Sequence, residues 1–300
     1  VLGVTAGVLG SLAVLSRRSL VGDALAHSAL PGVAIAFLVT GAKDPASLLV
    51  GAAIAGLLGA LVMAGIERTG RIRPDAAIGV VLSSFFSLGV VLLTYIGGLG
   101  NARQAGLETY LFGQAAGLLE RDVRAMALLA AAAIACVAVA FRPLKTALFD
   151  RSFAAAAGLR VRAVELASTA LLVVAVVVGL RTVGAILMGA MLIVPAVTAR
   201  QLTGRLSRLL PLAGLVGAGV GVTGALLSAR AEVPTGPVIV LTGTVVALAA
   251  VLLTPGRGVA WRALRRRGER RRAVATGVLI DLETALHAGP PPTPAELALA

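Results

Sequence analysis

Apolar residues do not gather into one core-forming run along this chain but return in blocks of roughly 17 to 22 residues, the length at which a helix crosses the hydrocarbon layer of a bilayer. These blocks lie near 1–15, 21–40, 46–65, 76–97, 123–141, 163–180, 183–200, 211–229 and 236–253, with polar and charged residues marking the connections. The pattern predicts an all-α fold, a polytopic membrane helix bundle of about nine spans, with eight possible. Alanine, valine, leucine and glycine dominate the blocks. Small residues at that density let helix backbones approach closely, as bundles in lipid need, because lipid tails remove the hydrophobic drive between helices.

Two stretches depart from the simple alternation. Residues 103–122, "RQAGLETYLFGQAAGLLERD", are too short and too polar at their flanks to span, and both their ends fall on one side. They predict a short external or re-entrant helix over the mouth of the bundle. The connection from Phe141 to Arg162 is long for a loop and predicts a short cytoplasmic helix with Gly158 at its end. Beyond Arg272 the sequence turns mixed and soluble, and Thr293, Pro294 and Glu296 offer a cap, a first-turn proline and a capping-box acid for a last short helix. The division expected is a transmembrane domain over 1–255 and a cytoplasmic basic linker with an incomplete helical extension over 256–300. Opening at Val1 inside an apolar run, the chain reads as trimmed at its start rather than as carrying a signal peptide.

Composition excludes a soluble domain: 58% of the residues are apolar and only 14% charged, against about a quarter in soluble proteins. The net charge of +13 would suggest nucleic acid if it were spread evenly. It is not. Placed against the spans, 21 of the 27 basic residues fall on one side, among them Arg17, Arg18, Arg68, Arg71, Arg73 and the arginines from Arg257 to Arg272, whereas Lys43, Arg103, Arg121, Arg124, Arg181 and Arg230 fall on the other. The richer side is expected in the cytoplasm, so the charge reads as orientation and contact with membrane lipid, and no nucleic acid partner is expected. The single cysteine, Cys136, excludes a disulfide within the chain and a thiolate metal cage.

The chemistry lies in the second block. Asp23 and His27 stand on one face at a spacing of four residues, some 6 and 12 Å into a core about 30 Å thick if the helix enters at Ser19 at about 1.5 Å per residue. An ionisable side chain there costs roughly 3 kcal/mol, and such residues face a cavity or each other and mark ion paths. Carboxylate oxygen with imidazole nitrogen suits Mn²⁺, Fe²⁺ or Zn²⁺ better than Ca²⁺ or Mg²⁺, and two ligands suit a path from which the ion must be released. Pro31 frees the carbonyl at position 27 and Gly32 adds flexibility, so a kink beside the pair is expected. Packing glue between helices is the other reading of Asp23 and His27, and the residues alone leave it open.

"RRSLVGDALAHSALPGVAIAFLVTG" at 17–41 resembles the signature of the permease subunits of the ABC transporter family for manganese, zinc and iron. "TYLFGQ" at 109–114 is similar to that family's Leu-Phe-Gly segment, and "VGAILMGAMLIVPAVTARQL" at 183–202, with Pro195, resembles its late signature. The resemblance covers about residues 1–255. It implies the membrane subunit of a bacterial importer in the cytoplasmic membrane, with a transported divalent metal ion and no permanently bound cofactor. Its implied partners are a second permease subunit, a cytoplasmic ATP-binding subunit that uses the ATP, and an external metal-binding protein that delivers the ion. Asp23 and His27 would line the translocation path. "FDRSFAAAAGLRVRA" at 149–163 resembles the coupling helix that docks on the ATPase, with Asp150, Phe153, Ala154 and Gly158 as its candidate residues. The sequence holds no G-x-x-x-x-G-K-[ST] motif, so the chain is expected not to be an enzyme and to borrow its ATP hydrolysis.

Other readings compete. An iron-chelate importer on a related fold would want a wider and less charged path. An ion-gradient-driven secondary transporter would want further buried carboxylates. An intramembrane metallohydrolase needs at least three ligands and a base, which two histidines do not supply. Glu108, Glu120 and Asp122 on the outer side could draw in cations, though solvated surface acids are common there. Glu232 and His287 read as surface residues. The tail after Arg272 weakly resembles the start of a winged-helix regulator-like extension.

Overall fold

A computed structural model describes residues 1–16, 18–42, 44–99, 113, 119–180 and 182–254, with 258, 259, 261 and 277 besides. The proposed external helix, apart from Gly113 and its last four residues, and the basic tail lie outside the described residues, as do Lys43, Glu108 and His287. Contacts divide the chain into two compact units, Val1–Leu248 and Ala249–Ala300.

Every apolar block becomes a helix: α1 (Leu2–Leu15), α2 (Val21–Thr40), α3 (Pro45–Arg68), α4 (Pro74–Gly98), α5 (Glu120–Val139), α8 (Val161–Leu180), α9 (Ala185–Leu202), α10 (Leu206–Ala231) and α11 (Thr235–Leu253). Two short helices, α6 (Phe141–Phe149) and α7 (Arg151–Ala156), fill the connection before α8. Among the described residues, eight helices are long and apolar enough to cross a membrane, which makes this a multi-pass membrane protein. α1, at 14 residues, extends about 21 Å, short of a full crossing.

Local chemistry sets the helix starts. Pro45 and Pro74 stand in the first turns of α3 and α4, where a missing N–H costs nothing, and Asp44 accepts a hydrogen bond from the Ser47 N–H at 3.0 Å. Small residues then set the packing. α1 crosses α10 where Gly3 meets Gly217 and Gly7 meets Ala213, and a methyl group at either glycine would collide with the facing backbone. Three buried hydroxyls are satisfied inside their own helices: Ser11 donates to the Gly7 carbonyl at 2.6 Å, Ser28 to that of Ala24 at 2.7 Å and Thr198 to that of Val194 at 2.8 Å.

α2 is the hub. It packs on α3, α4, α8 and α9, and thirteen of its twenty residues are buried. The other long helices keep broad apolar faces exposed, as lipid-facing or subunit-facing surfaces do; Leu128, Val139, Leu215 and Leu253 are examples. Polar groups on the inner turns of α2 are therefore surrounded by the bundle itself.

Candidate functional site

The site begins with α2, whose first turn carries Asp23 and whose second carries His27. Their shared face is preserved: Asp23 Oδ1 lies 3.7 Å from His27 Nε2. That is too long for a direct hydrogen bond. An ion about 2.0 to 2.2 Å from both atoms would subtend an angle of about 115 to 135° between them, which a bridging transition metal can accept. The His27 side chain is 12% exposed and that of Asp23 29%, so the pair is enclosed without being sealed. His27 Nδ1 is buried with no hydrogen-bond partner among the described residues.

Two neighbours shape this face, and neither was singled out from the sequence. Phe86 of α4 stands edge-on to the His27 ring, with centroids 4.8 Å apart and an interplanar angle of 73°, which holds the imidazole plane. Gly189 of α9 lies against Asp23; a Cβ there would come within 2.5 Å of Oδ1 and 2.9 Å of the Asp23 Cβ. The carboxylate fits because position 189 has no side chain. The late signature at 183–202 thus packs on the first signature at 17–41, and Leu192 fills the space beside Gly10 and Gly22. The only sequence clue to these pairings was the glycine content of the late signature. Helical pairing across the bundle leaves no periodic trace.

Pro31 and Gly32, where a kink is expected, both lie inside α2. α2 runs without interruption from Val21 to Thr40 through Pro31. Gly32 allows close approach: it is buried where α2 crosses α3, with Gly51 opposite, and a Cβ would strike the Gly51 carbonyl and the Ala55 methyl. Pro31 packs under α4, where a Cβ on Gly89 would reach its Cδ at 3.2 Å.

The second candidate group sits elsewhere, on a segment that packs on α6 and α8. One helix was expected between Phe141 and Arg162, and two are found, because Asp150 adopts an extended conformation (φ −146°, ψ 100°) that ends α6 and caps α7. Its carboxylate accepts from the Phe153 N–H at 2.9 Å and from the Ser152 hydroxyl at 2.7 Å. These bonds favour the ionised form, the backbone bond most, and hold the Asp150 carboxyl below its ordinary range. Gly158, two residues past α7, takes the left-handed conformation (φ +80°) that a side chain would strain. Arg151 pairs with Glu165 of α8 and ties α7 to that long helix. Ala154 is fully buried within this chain, whereas Phe153 is 62% exposed and Phe149 64%. Of the candidate docking residues, Asp150, Phe153 and Gly158 are exposed, and Phe153 is the one that offers a large apolar side chain outward.

A testable consequence concerns the cap. The folded carboxyl of Asp150 titrates below the unfolded one, so its stabilisation is present above the ordinary carboxylate range and is lost as pH falls through the lowered value. Amide exchange at Phe153 is expected to accelerate several-fold in Asp150→Ala at neutral pH and to stay near wild type in Asp150→Ser, which can still cap. In acid the difference between wild type and Asp150→Ala is expected to shrink.

On the opposite end, the acids are engaged locally. Glu120 accepts from Arg124 at 2.6 Å, and Asp122 accepts from the Leu119 N–H at 3.3 Å. Glu232 occupies a left-handed C-cap position after α10 (φ 53°). Of "TYLFGQ" only Gly113 is described; at φ +75° it lies against the 182–184 turn, where a Cβ would come within 2.6 Å of the Gly184 nitrogen. No group of three or more His, Cys, Asp or Glu that could hold a metal ion occurs among the described residues.

Known proteins resemble this chain. The chain is 45% identical over 282 residues to the manganese transport system membrane protein MntC of Bacillus subtilis, covering 94% of this chain but 65% of that protein's length. It is 46% identical over 267 residues to the zinc transport system membrane protein TroC of Treponema pallidum, covering 89% of this chain and 90% of that one. Among solved structures it is similar to PsaBC from Streptococcus pneumoniae in complex with Fab, at a TM-score of 0.76 and 31% identity over 89% of this chain and 91% of that one. A family match running over residues 1–254 takes in all nine apolar helices together with the Asp23 and His27 face, and on it the chain belongs to the ABC 3 transport family.

Proposed function

We propose that the protein is the membrane-spanning subunit of an ATP-driven importer that moves a divalent transition-metal ion, manganese, zinc or iron, through a path on which Asp23 and His27 each lend one ligand. The observation that carries this reading is the pair itself: a carboxylate oxygen and an imidazole nitrogen 3.7 Å apart on the most enclosed of the membrane-length helices described. A bare ion takes such donors, whereas a chelate arrives with its own ligands filled. Two protein donors with water, or with donors from a second permease subunit, bind loosely enough to release. Family membership and the manganese and zinc named for its relatives support the same class of cargo.

The remaining parts follow from that assignment. The arginine-rich ends of the helices face the cytoplasm of a bacterial cell, with the 42–44 turn and the 103–122 segment outside. α7 docks on a separate ATP-binding subunit, and an external binding protein delivers the ion. α8 joins the two functions mechanically, because it packs on both α7 and α2. Residues 256–300 form a cytoplasmic extension.

Reconstitution tests this directly. In proteoliposomes holding the permease with its ATPase and binding protein, ATP hydrolysis is expected to rise with Mn²⁺, Zn²⁺ or Fe²⁺ delivered from the binding-protein side, and the metal to accumulate on the ATPase side. Accumulation of none of the three, or accumulation that runs without ATP, would remove the assignment.

A further inference from the structure

A cavity of about 670 Å³ opens between α1, α3, α6 and α8 at the arginine-rich end of the bundle, with neither Asp23 nor His27 in its lining. Its floor is apolar, with Leu12, Met63 and Leu172 all buried. Its rim carries four guanidinium groups and two carboxylates. Arg18 pairs with Glu67 at 2.9 Å, and Arg151 pairs with Glu165. Arg68 and Arg162, both exposed, have no ion-pair partner among the described residues.

Three properties define what would fit. The rim has two uncompensated positive charges, so the ligand is an anion and not the transported cation. The floor is apolar and the opening lies at the ends of membrane-length helices, the level of lipid headgroups, so the ligand is amphipathic. The second carboxylate oxygen of Glu67 is buried with no hydrogen-bond partner among the described residues, so the ligand also carries a donor. The volume is in the range of about 300 to 1,000 Å³ that small-molecule sites occupy, enough for a headgroup and glycerol with acyl chains running out along the apolar helices.

We propose that this cavity is a binding site for an anionic phospholipid whose headgroup bears hydroxyl groups, of the phosphatidylglycerol class. Arg68 and Arg162 hold the phosphodiester, and a headgroup hydroxyl donates to the free oxygen of Glu67. Because Arg151 belongs to α7 and Glu67 is tied to the turn that precedes α2, an occupied cavity braces the α7 end of the bundle against the start of α2.

Native mass spectrometry of the full chain, released from nanodiscs of equal phosphatidylglycerol and phosphatidylcholine in the assembly in which it purifies, reads the site. Wild type is expected to retain phosphatidylglycerol over phosphatidylcholine by about fivefold or more, and the R68Q/R162Q double variant to retain both near the bulk ratio. The R68K/R162K variant, which keeps both charges, should hold the preference. So should R71Q/R73Q, which removes two arginines of the adjoining turn that lie outside the cavity. Retention at the bulk ratio in wild type would overturn the proposal. An equal loss in R71Q/R73Q would also overturn it, by making the attraction a diffuse surface charge. Displacement of the lipid by excess inorganic phosphate at matched ionic strength would show a free-anion site instead.

Discussion

Asp23→Asn and His27→Gln are each expected to lower metal uptake at least tenfold while leaving the protein inserted and assembled with its ATPase. The amides keep size and hydrogen bonding, so a pair that served only to hold helices together would tolerate them. A cation would not. A carboxylate and a positive charge 4 Å apart attract by about 4 kcal/mol at an effective dielectric of about 20, and each 1.4 kcal/mol is a factor of ten, so losing even part of this interaction empties the site. Loss of the imidazole removes a nitrogen donor that a neutral amide replaces poorly on a transition metal. Packing limits the disturbance: Gly189 leaves room for an Asn in place of Asp23, and Phe86 offers the same ring edge to a Gln side chain. Uptake measured with assembly checked on the same preparation separates the two explanations. A wild-type rate in both variants would return the pair to packing.

Phe153→Asp is expected to abolish coupling to the ATPase while sparing the bundle. Phe153 is 62% exposed within this chain, so replacing it costs little inside the permease. Seated in a groove of a partner it would be an aromatic anchor, the class of residue whose loss commonly removes about 2 kcal/mol or more of binding. An aspartate there adds the penalty of burying an unpaired charge. Co-purification of the ATPase is expected to fall at least tenfold, and ATP-dependent uptake with it, whereas thermal stability of the permease is expected to stay close to wild type. Undiminished association would remove α7 as the docking element. Ala154, fully buried against this chain, is not expected to touch the partner at all.

Much of this was legible in the chain because a bilayer punishes irregular backbone, so helix length and position follow from where apolar residues run uninterrupted. The 76–97 block became Pro74–Gly98, with its start fixed by a proline visible in the sequence. Asp23 and His27 were legible for the same reason, as ionisable groups with no business in hydrocarbon unless they meet something. The break at Asp150 was harder to see, because an aspartate before a short apolar run can lie within a helix or cap a new one, and only the hydrogen bond to the Phe153 N–H decides it. The packing role of Gly32 was hidden: a glycine after proline suggests a hinge, and the neighbour it packs on, Gly51, lies on another helix. Phe86, Gly189 and the Arg18 to Glu67 pair were not legible at all. Each depends on which helices touch, and apolar runs of similar length and composition carry almost no record of that.

The claim that the ion is held by both donors has one direct test, pulsed electron paramagnetic resonance of Mn²⁺ bound to the permease and ATPase complex reconstituted without the external binding protein, whose own ligands would otherwise contribute. A ¹⁴N coupling to the bound Mn²⁺ is predicted for the wild-type complex, absent in His27→Gln, with Mn²⁺ affinity reduced in Asp23→Asn. A ¹⁴N signal that persists in His27→Gln, or a wild-type spectrum showing only oxygen donors, would contradict it.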